Sequence, residues 1–269
     1  MPEYVDTEQI ERLKRGFEAR ADDVLISTYP KSGTTWLQQI VTLLVNDGVA
    51  RYHGRGLVDT APWLEAAGVS TLSVDLETLN GLPAPRVLKT HLSLDALDWV
   101  DGRRVYGARD PKDVVTSYFH HMNHKQPDAQ YTFTEFFEEF MAGRCMYGDW
   151  GAHCASALRR AADADTHIVF YENLHREPEE TVIALARFLG VEPAPALIAQ
   201  VIERSRFSVM ATSPTTRFHW FGEAGSRTHY RKGIVGDWRT HLTARQASRL
   251  DQRVREIFGA VETPFPVCR

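Results

Sequence analysis

The sequence predicts an α/β fold in which a mostly parallel sheet carries helices on both faces. Short, β-branched apolar runs recur along the chain, and helical patterns separate most of them. Polar or cationic residues gather where the apolar runs end, as expected of an open sheet that binds its ligand beyond the carboxyl ends of its strands.

Taken in order, Ile10, Leu13 and Phe17 recur at helical spacing behind Asp6 and Thr7, so the chain opens with an amphipathic helix. VLISTY, Val24 to Tyr29, reads as a buried strand and runs straight into PKSGTT. From Thr34, the residues Trp36, Leu37, Ile40, Val41, Leu44 and Val45 trace a helical face that stops near Asn46, Asp47 and Gly48. RVLKTH (Arg86 to His91), RVYGAR (Arg104 to Arg109) and HIVFYE (His167 to Glu172) supply three further strands. Helices are expected over Pro111 to Met122, with proline in the first turn, and over Phe133 to Met141, Glu177 to Leu189 and Ala244 to Phe258. Gly48 to Pro85 and Ser213 to Gly236 read as long irregular segments over a site. No linker divides residues 1–269, and one P-loop-like domain is expected.

Composition narrows the partners. Lys and Arg total 31 against 35 Asp and Glu, a formal net charge of −4, which offers no global attraction to nucleic acid or to an anionic membrane. Any anion site must therefore be local. Cys145, Cys154 and Cys268 are too few for a disulfide framework or zinc knuckle and suit thiols in a reducing compartment. The N-terminal stretch has no apolar signal segment, and the apolar run around Ile40 to Val45 falls far short of the ~20 residues that span a bilayer. A soluble, cytoplasmic protein is expected.

The strand ends carry the chemistry. Lys31 follows the first strand, Lys89 and His91 finish the second, Arg109 ends the third and Tyr171 the fourth. In the first loop, Gly33 would admit close approach of an anion, and the amides from Ser32 through Trp36 would be open donors at a helix N-terminus. Lys31, Thr34 and Thr35 add a charge and hydroxyls, giving a phosphate cradle. It is not a Walker A loop, because the lysine precedes the glycine. Arg109 with Ser117, about two helical turns further on, suggests a second anion position. Arg231-Lys232-Gly233 forms a third basic cluster. His120, His121 and His124 do not read as a metal site, since the first two are adjacent and point apart on a helix.

With these motifs in view, the chain resembles the cytosolic sulfotransferases, which move a sulfuryl group from 3′-phosphoadenosine 5′-phosphosulfate (PAPS) to an acceptor hydroxyl or amine. The likeness runs in order through YPKSGTTWLQQI, RVLKTHLSLDALDW, RDPKDVVTSYFHH, FMAGRCMYGDW, FYENLHREPEETVIALARFLG, RSRFSVM and RKGIVGDW. It implies that Lys31, Ser32, Gly33, Thr34 and Thr35 hold the 5′-phosphosulfate and that Trp36 stacks on the adenine. It assigns Arg109, Ser117, Arg231, Lys232 and Gly233 to the 3′-phosphate, Tyr171 and Ser205 to the nucleoside, and Phe207 and Met210 to the far side of the base.

The resemblance further implies that His91 is the general base, that Lys31 and Lys89 stabilise the charge that builds up during in-line transfer, that Ser117 restrains Lys31, and that PAP leaves as product with no metal involved. Trp63, Phe119, His121, Cys145, Trp220 and Phe221 fall where the family places its pocket for a small hydroxylated or phenolic acceptor. His121 and Ala66 stand where phenol-sulfating relatives often carry aromatics, and the family's dimerisation motif is altered at both ends, at Arg239 and Ser248. The oligomeric state is accordingly left open. Two other readings fit the residues alone: a kinase-like phosphotransferase, and a non-catalytic binder of adenosine bisphosphate.

Overall fold

In the computed structural model, the described residues are 7–68, 73–125, 131–216, 230–259, 263 and 265. They form a four-stranded sheet of β1 (Val24–Thr28), β2 (Val87–Thr90), β3 (Arg103–Ala108) and β4 (Thr166–Phe170), in the order β2-β1-β3-β4. Every pair is parallel, with Val24 opposite both Val87 and Arg103, and Arg104 opposite Thr166. The expected mostly parallel sheet is therefore present, and each sequence-assigned strand lies within one or two residues of its observed bounds.

Successive residues of a strand face opposite sides of the sheet, and here both sides are apolar. Leu25, Leu88, Tyr106 and Ala108 enter one core, while Val24, Ile26, Val87, Val105 and Val169 enter the other. Among the described residues the helices are α1 (Thr7–Gly16), α2 (Thr34–Leu44), α3 (Leu57–Thr60), α4 (Leu76–Gly81), α5 (Pro111–Lys125), α6 (Phe133–Met141), α7 (Trp150–Leu158), α8 (Tyr171–Arg176), α9 (Pro178–Leu189), α10 (Pro195–Arg204), α11 (Phe207–Thr212) and α12 (Ala244–Phe258). The first core receives side chains of α1, α5, α6, α7 and α12, including Leu13, Val114, Phe137, Trp150 and Leu250. The second receives α2, α9 and α10 through Leu37, Ile40, Leu185 and Ile198.

The reading of Gly48 to Pro85 as irregular is corrected. It holds α3, α4 and a 3-10 turn over Leu64–Ala66, and Trp63 forms a parallel bridge with Lys89 beside β2. A sequence periodicity cannot announce helices shorter than two turns. In the second long segment, 217–229 lies outside the described residues. Thr243, part of the altered dimerisation motif, caps α12 reciprocally with Gln246, a role internal to the chain.

Close approach of α2 to the sheet depends on Gly107 in β3, where an added Cβ would lie 2.6 Å from Leu37 Cδ1 and 2.7 Å from Thr28 Cγ2. Gly107→Ala is expected to destabilise the protein by about 1–3 kcal/mol, the range for overpacking a filled core, as a lowered midpoint in urea unfolding at unchanged slope.

Candidate active site

The strand order reverses at β1, whose neighbours are β2 on one side and β3 on the other. That is the topological position at which an open α/β sheet forms a crevice beyond its strand ends. A cavity of about 570 Å³ opens there, and Lys31, Lys89, His91, Arg109 and Tyr171 all reach it.

The loop from β1 into α2 is held in an uncommon conformation, with φ of 70° at Lys31 and 94° at Gly33. Only glycine adopts the second readily. The glycine has another reason as well, since a Cβ there would stand 2.7 Å from the Tyr171 ring. What crowds Gly33 is therefore this aromatic ring. The expected run of open amides is also shorter. Ser32 N–H donates to the Tyr29 carbonyl at 3.2 Å and Trp36 N–H to the Gly33 carbonyl at 3.0 Å. The amides of Gly33 and Thr34 keep no acceptor among the described residues. Lys31, Gly33, Thr34, Thr35 and Trp36 line the cavity, whereas Ser32 is buried beside it with its hydroxyl unpaired.

Arg109 ties this loop to a distant segment. Its Nη1 donates to the Lys31 carbonyl at 2.9 Å, its Nη2 donates to the Ile234 carbonyl at 3.1 Å, and its guanidinium lies 4.1 Å from the centre of the Tyr171 ring. Its Nε–H is buried without an acceptor. The expected basic spot at Arg231 and Lys232 is not a bare excess of charge: Asp237 accepts from both side chains at 2.6 Å. The Asp113 carboxylate in turn accepts from the amides of Gly236 and Trp238 at 2.7 and 3.0 Å, which pins this segment to the start of α5. Ser117, Ser205, Phe207, Met210 and Gly233 complete this part of the wall. Behind Arg109, burial pushes Asp110 up to about 7, opposed by Lys112, and Glu172 up to about 7, opposed by its bond from the Asp110 amide.

His91 lies at the end of β2. Its Nδ1 faces the Thr28 carbonyl at 2.9 Å and the Thr28 hydroxyl at 3.3 Å, and that hydroxyl also meets the Thr34 hydroxyl at 2.6 Å. A carbonyl can only accept, so Nδ1 carries the proton and Nε2 holds a lone pair. Desolvation and then the Lys89 charge push the imidazole well below its usual range, against the opposing pull of the Thr28 carbonyl. Trp63 and Tyr147 stand edge-on to the ring, 5.5 and 5.4 Å away, and the Lys89 ammonium lies 4.3 Å from the centre of the Trp63 ring.

Of the expected acceptor residues, Trp63 and His121 line the cavity. Phe119 does not; it packs against Phe133 and Phe136. Cys145 also lies off the wall, in the first core's margin, and burial pushes its thiol up to about 12. Trp220 and Phe221 lie outside the described residues. The neighbouring histidines do diverge, His120 Nε2 meeting His241 Nε2 at 2.9 Å while His121 faces the cavity. Residues the sequence reading passed over include Tyr147, Met122 and Met146 on the wall, and the fully buried Glu65, whose carboxylate accepts from the His91 amide at 2.7 Å and from the Tyr147 hydroxyl at 3.2 Å. The acidic residue inside the apolar APWLEA run was the available signal for Glu65.

A parallel α/β sheet whose glycine-bearing loop and cationic side chains meet at its switch point is the arrangement of nucleotide-binding α/β proteins. The comparisons with known proteins narrow this. Residues 21–262 match the family model described as "Sulfotransferase domain". Sulfotransferase 1 family member D1 of Mus musculus is 35% identical over 88% of this chain and 83% of its own length. Sulfotransferase 1C2 of Homo sapiens is 32% identical over 90% of this chain and 84% of its own length. Among solved structures, mouse sulfotransferase SULT7A1 complexed with PAP superposes with a TM-score of 0.75 at 25% identity, covering 96% of this chain and 92% of that one. The chain belongs to the sulfotransferase family.

Two predictions follow from the site's electrostatics. Burial holds His153 down to about 4, so this neutral imidazole contributes stability that is present above its unfolded value near 6.5 and lost as pH falls toward 4. Asp110 and Glu172, being raised, act in the opposite sense over the same range, so the contribution is read as a difference. Between pH 7 and pH 4, wild type should lose about 3 kcal/mol more unfolding free energy than His153→Gln in matched denaturant titrations. The second concerns Asp113→Asn, which weakens the anchor for Gly236 and Trp238. It should lower affinity for adenosine 3′,5′-bisphosphate by about 1.5–3 kcal/mol in calorimetry, the range for hydrogen bonds to a charged group.

Proposed function

We propose that this chain transfers a sulfuryl group from PAPS to a hydroxyl or amine of a small molecule, with His91 as general base and Lys31 and Lys89 as electrostatic stabilisers. One observation carries the reading. A neutral imidazole, oriented by Thr28 so that its Nε2 lone pair is free of that carbonyl, shares one cavity with the glycine loop and the two cationic clusters.

The residues suit the donor. The unpaired Gly33 and Thr34 amides and Lys31 would hold the 5′-phosphosulfate, while the buried Nε–H groups of Arg109 and Arg231, which lack acceptors among the described residues, would serve the 3′-phosphate. Trp36 would stack on the adenine and Phe207 and Met210 would close its other side, with Tyr171 and Ser205 to bind the nucleoside; all five line the cavity. PAPS supplies an activated sulfuryl group and its departing bridging oxygen gains negative charge. His91 Nε2 takes the proton of the acceptor hydroxyl while Nδ1–H stays on the Thr28 carbonyl, which stabilises the imidazolium as it forms. Lys31 and Lys89 oppose the developing negative charge in a site where desolvation strengthens every such interaction. Ser117 lines the same cavity as Lys31, which it would restrain.

For the acceptor, the wall around His91 is aromatic and thioether-rich, formed by Trp63, Tyr118, Met122, Met146 and Tyr147, with His121 as a polar element. It suits a small hydroxylated or phenolic molecule. Among the described residues no helix is long and apolar enough to cross a membrane, and no group of three or more His, Cys, Asp or Glu could hold a metal ion.

His91→Ala should lower PAPS-dependent sulfation across a panel of phenols, alcohols and amines by about 10²–10⁴-fold, with bisphosphate binding largely kept. Undiminished turnover would reject the base assignment, and transfer from ATP with magnesium in place of PAPS would favour the phosphotransferase reading. Arg109→Ala should cost about 1.5–3 kcal/mol in affinity for adenosine 3′,5′-bisphosphate and far less for adenosine 5′-phosphate, a contrast that calorimetry measures directly.

A further inference from the structure

The peptide of His91 is held on both sides by side chains that do not line the cavity. Its N–H donates to Glu65 Oε1 at 2.7 Å, and its carbonyl faces His153 Nε2 at 3.1 Å. The same turn is fixed at three more points: Leu92 N–H on the Thr90 hydroxyl, the Leu92 carbonyl on the Ser27 hydroxyl, and Leu94 N–H on the Ser156 hydroxyl. His153 is the member of this set whose donor depends on a tautomer. The His91 carbonyl can only accept, so the contact is a bond only when Nε2 carries the proton. Nδ1 must then be a lone pair, and it faces the Tyr106 hydroxyl at 2.8 Å, which can donate. The other tautomer would set a lone pair of Nε2 against those of the His91 carbonyl.

Both residues are sealed. His153 is 3% and Tyr106 1% exposed, and the Tyr29 ring stands edge-on to the imidazole at 5.5 Å. The Tyr106 hydroxyl has one other neighbour, Cys154 Sγ at 3.4 Å, a weak acceptor. Tyr106 sits within β3 and His153 on α7, so the relay fixes the end of β2 to two separate elements of the first core. A single imidazole meets the His91 carbonyl here. Its reach suits the place, because it spans from the Tyr106 hydroxyl to the main chain of His91 as one rigid ring.

We propose that His153 is a positioning residue for sulfuryl transfer: with its tautomer set by Tyr106, its Nε2–H fixes the main chain of His91 and so the placement of the His91 ring. The inference rests on the reading of His91 as general base, but its physical content, a locked His91, can be observed without turnover. Misplacement of a reacting group by about 1 Å is enough to cost two orders of magnitude in rate.

The test uses ¹⁵N-labelled full-length protein saturated with adenosine 3′,5′-bisphosphate, with the His91 imidazole N–H signal assigned by its absence in His91→Ala. Wild type should show one slowly exchanging Nδ1–H for His91. In His153→Leu that signal should broaden or vanish, and sulfation of 2-naphthol should fall about ten- to a hundredfold in kcat, while bisphosphate affinity and the KM for PAPS stay within about threefold. His153→Gln, whose side-chain amide can offer an N–H near the Nε2 position, should restore the signal and most of the rate. Tyr106→Phe should show a smaller loss, and adding it to His153→Leu should cause no further one. A preserved His91 signal in His153→Leu would overturn the proposal, as would a loss of bisphosphate affinity in step with kcat or no rescue by glutamine. Full sulfation by His91→Ala would instead overturn the base assignment and leave the spectroscopic result standing.

Discussion

Parallel pairing of the strands on either side of β1 is the constraint from which the site derives. Because β2 and β3 run with β1, and β4 with β3, the last residues Thr28, Thr90, Ala108 and Phe170 come out at one edge. Lys31, His91, Arg109 and Tyr171 lie one to three residues beyond those ends. A sheet with antiparallel neighbours would have sent half of them to the opposite side. Parallel strands require both faces to be covered, and the two apolar cores on either side of this sheet leave its edge as the place where polar groups can gather. The left-handed turn at Lys31 and Gly33 has a conformational cost, and the bond from Arg109 to the Lys31 carbonyl offsets part of it.

The protein's net charge is −4, yet the cavity is cationic, and that contrast is resolved residue by residue. Four of its cations are restrained by something other than a ligand. Arg109 is restrained by two carbonyls and a ring, Lys89 by the face of Trp63, and Arg231 and Lys232 by a shared Asp237. These contacts leave donor capacity over. An arginine has five N–H groups, and Arg109 is seen to use two of them. Restraint of this kind lowers the entropy lost when an anion binds, and it holds the cations together against their mutual repulsion in a desolvated space. The local field thus comes from geometry, with overall composition contributing nothing to it.

The parts of this arrangement that could be read from the sequence share one property: each is local in the chain. VLIST, VLKT and RRVYGA are strands by their own composition, and the loop YPKSGTT declares a glycine-bearing turn from strand into helix within a few residues. The helices at Phe133–Met141 and Ala244–Phe258 matched because long apolar periodicity is a strong signal and each begins with a threonine cap. What escaped was non-local or too short. The pairing of Asp237 with Arg231 and Lys232, the seat of Glu65 under His91, and the crowding of Gly33 by Tyr171 are facts of three-dimensional contact. The helix α7 opens on Trp150-Gly151 and lacks a clear apolar stripe, so its residue His153 carried no signal, although the Asp149 cap was there to be read. Phe119 and Cys145 were assigned to the acceptor wall by likeness of position, and packing against Phe133, Phe136 and the core margin draws them elsewhere.

The two halves of the cavity are built from different materials, and this bears on how such a site can change. The half lined by Lys31, Gly33 and Arg109 is formed by strand-end loops whose backbone is bonded into the sheet edge, so a change there disturbs Thr28, Arg109 or Asp113 and everything they hold. The half around Trp63, Met122, Met146 and Tyr147 rests on a bridged segment beside β2, one face of α5 and the turn before α7. Ser117 and His121 mark the boundary along α5, four residues and so about 6 Å of helix rise apart. Side chains on this second half can be exchanged without rebuilding the hydrogen bonds of the sheet edge. The exception is the peptide of His91, which belongs to both halves, and the bonds from its N–H to Glu65 and from His153 to its carbonyl keep the imidazole in register whatever the wall opposite becomes.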